Sequence, residues 1–337
     1  MEEKVNSTAQ TKKASNFNAG RFLRDNNSIL ILLALLIFGF AIVDGFTTSF
    51  YNVILYSAEM GLSALGLGLV MITGNIDLSV GFLAASCGVT LVSVFNLVYG
   101  SVGSIPAVII GVIAALIVGC LLGAFNGFII TQIGISPLIA TIATNYIYQG
   151  IVYNFAQTSY APSDKTALQA IAKTKIFGIK WLTPMVIIFV VIIILVALWM
   201  YYTKYGNRLH VVGDNPEAGE FAGISVNKTV WVTFILCGFF CAMTGILMVC
   251  FNGAAIYTQG TALSTFPISC CVIGGIKMTG GKGTAVHILL GVLIMRAIST
   301  IMSTMFLPTA WVNLVTGVIL VAVLVVDRFT SKKSADE

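Results

Sequence analysis

VILYSAEMGLSALGLGLVMITGNIDLSVGFLAASCGVTLVSVFNLV, residues 53–98, consists of two apolar runs on either side of a glycine-rich interruption. A helix needs about 20 residues to cross the hydrocarbon core of a bilayer, and each run supplies that length, with Glu59 the only charge inside them. The interruption, GNIDLSVG from Gly74 to Gly81, holds Asp77 and Ser79. Their oxygens suit the free amides at the start of the following helix, so both read as N-cap residues.

The same pattern extends over the chain. Of its 337 residues, 58% are hydrophobic and 9% charged, whereas a soluble domain carries about 25% charged residues. So few charges cannot cover a water-facing surface, and lipid must replace water around most of the fold. Ten runs meet the length criterion, near 29–44, 53–73, 78–98, 104–131, 137–156, 184–202, 229–251, 262–276, 284–305 and 308–327. The expectation is an all-α integral membrane protein of about ten transmembrane helices. Residues 1–28 and 328–337 would be tails on a transmembrane domain at 29–327.

The net charge of +5 follows from topology rather than from a nucleic-acid face, because Lys and Arg gather in cytoplasmic loops. Five basic residues lie in the N-terminal tail, and Lys204, Arg208, Lys228, Lys277, Lys282, Arg328, Lys332 and Lys333 fall on the same side in a ten-span arrangement. The opposite side holds Lys165, Lys173, Lys175 and Lys180, all within residues 157–183. Both termini are therefore expected in the cytoplasm, with 157–183 outside. A short helix is expected after Ser163 or Asp164. No small-residue cleavage site follows the first apolar run, which reads as an uncleaved anchor.

Seven cysteines, all in apolar stretches, form no secreted disulfide framework. Cys237 and Cys241 share a helix face but have no His, Asp or Glu nearby to complete a metal site. Gly119, Gly123 and Gly127 make a small-residue ridge that allows another helix close approach.

A second glycine-rich interruption, GGIKMTGGKGT, runs from Gly274 to Thr284. Irregular backbone at membrane depth survives only where protein or a watery cavity satisfies it. Gly74, Asn75, Asp77, Ser79, Gly81, Asn126, Gly274 and Gly275 are thus candidates for a translocation path or its helix breaks, and tight interfacial turns are the alternative. GGKGT lacks the spacing and the preceding strand of a phosphate-binding loop, so no ATP site is expected here.

Residues 203–228 form a long loop containing GDNPEAGEFAGI, Gly213 to Ile224. Asp214 or Asn215 can cap a helix begun by Pro216, with Glu217 favourable in its first turn. That helix is too short and polar to enter the membrane and must rest on its surface or on a partner. Ala218, Gly219, Ala222 and Gly223 would give it a small face for docking. Two buried charges complete the inventory. At about 1.5 Å per residue, Glu59 lies roughly 9 Å and Arg296 roughly 14 Å from the outer ends of their spans, so an ion pair between them is geometrically possible. An isolated Arg at such depth needs a carboxylate partner or a wet cavity.

At four places, GNIDLSVG, GAFNGFII with GISPLIATIAT, GDNPEAGEFAGI and GGIKMTGGKGT, the chain resembles the permease subunits of bacterial ABC importers for ribose, galactose, xylose and similar solutes. The resemblance runs from about residue 50 to the end, in the family's order and spacing. It implies an inner-membrane subunit, paired with a second permease subunit, that forms the path for a small solute of the monosaccharide kind. Gly213, Asp214, Asn215, Pro216, Glu217, Ala218 and Gly223 would couple to a separate ATPase that holds the ATP and Mg, and an extracytoplasmic solute-binding protein would deliver cargo. Asn75, Lys277, His287 and Arg296 depart from the family's pattern and leave the cargo open. The competing classes are a stand-alone secondary transporter or channel, which needs ion ligands beyond Asp44, Glu59 and Asp77, and an intramembrane enzyme, for which His210 and His287 offer no metal-spaced pair.

Overall fold

The computed structural model describes residues 27–157, 159–308, 310–318, 321 and 325. The expected N-terminal tail, its five basic residues, Arg328, Lys332, Lys333 and the C-terminal tail lie outside the described residues.

The order is helical throughout: α1 Asn27–Ile42, α2 Phe46–Ser49, α3 Tyr51–Ile72, α4 Val80–Val102, α5 Ser104–Phe128, α6 Pro137–Ala156, α7 Thr166–Lys173, α8 Pro184–Tyr202, α9 Lys204–Asp214, α10 Pro216–Phe221, α11 Val226–Asn252, α12 Tyr257–Gly274 and α13 Ala285–Thr304, followed by helix at 310–318. Every one of the ten apolar runs falls on a helix, the tenth only in its described part. Six stretches are long and apolar enough to cross a membrane among the described residues, namely Phe46–Ile72, Val80–Val102, Ser104–Ile133, Pro184–Tyr202, Val226–Asn252 and Ala285–Thr304. The chain is thus an all-α membrane protein. The shorter α1 and the more polar α6 and α12 fall outside that set of six.

Burial separates a central layer from a peripheral one. α3, α4, α11 and α13 are mostly buried, whereas α5 and α8 present most of their apolar surface outward. α5 shows how the sequence imposes this. Ala107, Gly111, Ala115, Gly119, Gly123 and Gly127 recur every four residues and are buried, while Ile105, Ile109, Ile113, Ile117, Leu121 and Phe125 line the exposed face. Residues four apart share one side of a helix, so α5 has a smooth face for protein and a bulky face for lipid. A Cβ on Gly123 would lie 2.3 Å from the Phe234 carbonyl oxygen and one on Gly119 2.6 Å from that of Gly238. The ridge therefore brings α5 against α11 at backbone distance, the packing mode of small residues in membranes.

The interruptions at 73–79 and 275–284, with α9 and α10, gather at one end of the bundle. At the opposite end, residues 157–183 lie over the helix ends. Tyr160 and Ala255 exchange backbone hydrogen bonds of 2.8 and 2.9 Å, and the Asn96 side chain donates to the Ala161 carbonyl and accepts from the Ser163 amide. The expected short helix is α7, and Asp164 bonds the Thr166 amide at its start. The Ser104 hydroxyl, donating at 2.6 Å, and then the Thr166 amide hold the Asp164 carboxyl below the usual carboxylate range. A depressed carboxylate supports this tether above its unfolded pKa and loses that contribution as pH falls through its folded value.

Candidate functional site

The first interruption ends in a buried polar network. Beyond Ile72 the Thr73 hydroxyl bonds back to the Val70 carbonyl, and the Asn75 amide donates to the Thr73 carbonyl and hydroxyl. Asp77, 1% exposed, accepts through Oδ1 from the Ser79 amide at 2.8 Å and the Ser79 hydroxyl at 2.6 Å. Asn126 of α5 donates to the Ser79 hydroxyl at 2.8 Å, and the Tyr148 hydroxyl of α6 reaches Asn126 Oδ1 at 3.1 Å. Thr141 of α6 accepts from the Leu78 amide, and the Cys237 thiol of α11 points at Asp77 Oδ2. The polar groups of this irregular segment are satisfied by side chains of three helices, which is what low-dielectric surroundings demand.

This corrects the N-cap expectation. Ser79 occupies the cap position of α4 but makes no capping bond, because its hydroxyl is engaged with Asp77 and Asn126. Asp77 accepts from Ser79 itself rather than from the first turn of α4. Gly81 then brings α4 onto α12, where an added Cβ would sit 2.3 Å from the Gly260 carbonyl oxygen.

The second interruption begins where Gly275, at φ 102°, ends α12 beyond Gly274, which lies against the His287 carbonyl of α13. It then folds onto the first. The Gly281 amide donates to the Ile72 carbonyl at 2.9 Å, and His210 Nδ1 lies 3.0 Å from the Gly281 carbonyl. Gly213, the last glycine of α9, is wedged between them. A Cβ there would meet the Ile72 carbonyl oxygen at 1.9 Å and the Gly281 nitrogen at 2.5 Å, and one on Gly280 would meet the Gly74 nitrogen at 2.7 Å and the Gly213 oxygen at 2.8 Å. Three motifs as far apart as Gly74 and Gly281 thus share one backbone knot, formed because glycines stand at the crossing.

The knot continues directly into α10. Asn215, not Asp214, is the cap, its Oδ1 accepting from the Ala218 amide at 3.0 Å, and Pro216 is the first residue. Glu217, Ala218 and Glu220 face outward, while Gly219 is buried beside Val211 and Val226. The expected small docking face is therefore not one surface: Gly219 packs α10 onto its own chain, and Gly223, at φ 77°, ends the turn. Sequence reasoning also passed over Phe221, 93% exposed. It borders a shallow cavity of about 360 Å³ with Glu217 and Glu220. A large aromatic in a six-residue helix that cannot bury it was the available signal.

Glu59 and Arg296 find different partners. Glu59, 6% exposed, accepts from Asn252 of α11 at 3.0 Å. The Arg296 guanidinium lies 4.3 Å from the Phe266 ring centroid and 5.9 Å from that of Tyr56, with the Met60 sulfur as a further neighbour. Aromatic faces can hold a desolvated guanidinium, so the charge expected to need a carboxylate or a wet cavity has rings as its direct neighbours. Asp44, by contrast, is exposed.

Residues 49–324 match the family described as the permease component of the branched-chain amino acid transport system. The chain is 32% identical over 267 residues, 79% of its length and 75% of the relative's, to the autoinducer 2 import system permease protein LsrC of Enterobacter sp. (strain 638). It is 29% identical over 317 residues, 91% of its length and 88% of the relative's, to the same protein of Escherichia coli (strain SMS-3-5 / SECEC). No solved structure matches it. Two glycine interruptions interlocked beside a capped surface helix, on an all-helical membrane framework, are thus found in a chain that belongs to the permease component family of these transport systems.

Proposed function

We propose that this chain is the membrane-spanning permease subunit of an ABC importer that forms the path for a small solute of the monosaccharide class. The relatives' role in autoinducer 2 import supports that solute class. The reading includes ten spans, both termini in the cytoplasm, a second permease subunit, an extracytoplasmic solute-binding protein and a cytoplasmic ATPase that holds ATP and Mg. The observation that carries it is the knot at Gly213. A capped helix exposing Glu217, Ala218, Glu220 and Phe221 is joined without slack to both helix interruptions, so a push on α10 reaches Ile72, Gly74, Gly280 and Gly281 through backbone contacts. In this reading the Asp77–Ser79–Asn126 network holds the first interruption rigid while the path changes shape.

The test is retention of the ATPase. Purified in mild detergent from its own cells, the chain is expected to carry an ABC-type ATPase, and Ala218→Arg, Glu217→Lys and Phe221→Ala to lose it or uncouple hydrolysis from uptake. Capture of the solute-binding protein should persist in all three. Unchanged ATPase retention and unchanged uptake in every variant would sink the coupling assignment. Sidedness is tested separately: a cysteine introduced as Ser163→Cys, in a chain otherwise free of reactive thiols, should label from outside intact cells. Labelling only after lysis would reverse the topology.

A further inference from the structure

At the end opposite the interruptions, a cavity of about 420 Å³ is lined by Lys173, Lys175 and Lys180, with Tyr51, Phe251 and Thr183 among its other walls. No carboxylate lines it. Asp164, the only acidic residue of 157–183, is tied to Ser104 and Thr166. Three ammonium groups around one recess repel each other unless an anion joins them. They also stand on the side where basic residues work against the charge bias that orients membrane chains.

The depth of the cavity indicates its occupant. Thr183 caps α8, whose 19 residues rise about 28 Å, the thickness of a hydrocarbon core. Tyr51 begins α3. The cavity therefore sits where two membrane-crossing helices emerge, at the level of lipid headgroups. The segment above it is shaped for that interface. The Ile176 amide donates to the Leu182 carbonyl at 2.9 Å and the Ile179 amide to the Ile176 carbonyl at 3.1 Å, closing a tight loop. Its tip presents Phe177, at φ 53° and 92% exposed, between Lys175 and Lys180, and Trp181, also exposed, follows Lys180. Exposed aromatics flanked by lysines suit the boundary between acyl chains and headgroups.

We propose that this cavity is a phosphate site that holds the headgroup of an anionic phospholipid, with Phe177 and Trp181 set into the adjoining leaflet. The site rests on the placement of α3 and α8 in the membrane and is independent of ATPase coupling, so either assignment can fail without the other.

The experiment is native mass spectrometry of the full chain in mild detergent dosed with phosphatidylglycerol or phosphatidylethanolamine. The parent is expected to retain one phosphatidylglycerol in preference to phosphatidylethanolamine. A lysine near a membrane surface contributes roughly fivefold in affinity for anionic lipid, so Lys173→Gln, Lys175→Gln and Lys180→Gln combined should lower retention by at least ~tenfold. Lys165→Gln, in the same segment but outside the cavity, should leave it unchanged, and an unaltered unfolding temperature will show that the triple variant is folded. Equal retention by the triple variant overturns the proposal. Displacement of phosphatidylglycerol by excess inorganic phosphate assigns the site to a free phosphate compound and overturns the lipid assignment, whereas resistance to displacement supports it. Loss of solute-binding protein capture in the triple variant, with lipid retention unaltered, makes the lysines a protein-docking surface and likewise overturns it.

Discussion

Gly213→Ala is expected to lower stability by about 3 kcal/mol, at the upper end of the overpacking range. The added Cβ would meet the Ile72 carbonyl oxygen at 1.9 Å and the Gly281 nitrogen at 2.5 Å. Both atoms are backbone, so no side chain can swing aside, and separating them breaks the Gly281 to Ile72 hydrogen bond. The strain falls at the junction of both interruptions with α9, so coupled uptake should be lost along with several degrees of unfolding temperature. Gly219→Ala is the matched control. Its Cβ would approach nothing nearer than the Val211 side chain at 3.6 Å, and alanine suits a helix better than glycine by up to about 1 kcal/mol. If detergent-purified Gly213→Ala unfolds at or above the parent's temperature, as Gly219→Ala is expected to, the knot is not the rigid joint described above.

Asp77→Ala is expected to be comparably damaging for a different reason. It removes the acceptor of the Ser79 amide and hydroxyl, on a residue that is itself fully buried. An orphaned buried donor costs about 1–3 kcal/mol. Asp77→Asn keeps one carbonyl oxygen in place and should retain roughly half of what alanine loses. Asn126→Ala removes the donor to Ser79 and the acceptor of Tyr148. Combined with Asp77→Ala it should cost less than the two single losses together, since groups of one network do not add. Thermal unfolding of the four proteins measures this directly, and strictly additive shifts would show that Asp77 and Asn126 do not act through Ser79.

Much of the helical framework was legible in the amino-acid order because lipid imposes a simple rule. Backbone must satisfy itself as helix, and the outer surface must be apolar. The run at 184–202 is α8 to the residue, and 137–156 is α6. Where hydropathy drops, the boundary moved. The short run at 262–276 is α12, which begins earlier at Tyr257 because Thr258, Gln259 and Thr261 are helical without being apolar. That turn is held by contacts no local pattern reveals, the Gln149 amide on the Tyr257 hydroxyl and the Tyr257 ring beside Phe82.

The α10 start was likewise visible in Asn215-Pro216-Glu217, since capping acts within one turn. The site was legible only as parts. Gly74, Gly213, Gly280 and Gly281 mark flexible or crowded backbone wherever they occur, but that Gly213 meets Gly281 and Gly280 meets Gly74 follows from how the ends of α3 and α9 and the segment before α13 pack. Asp77 was recognisable as a polar residue at a helix start, and local chemistry favoured a cap. Its actual partners include Cys237, 160 positions away. Arg296 was recognisable as a charge in need of a partner, and the nearest carboxylate on a helical ruler was Glu59. The fold offered Phe266 and Tyr56 instead, with Asn252 for Glu59. By itself the sequence determined where the apolar membrane-length helices lie and that α10 starts at Asn215-Pro216, because those depend on solvent and on neighbours within a turn, whereas α9, polar and short, carried no such signal. The tertiary structure alone decided which interruptions meet and which buried polar groups satisfy one another, because hydrogen bonds and close contacts between distant segments depend on how whole helices pack.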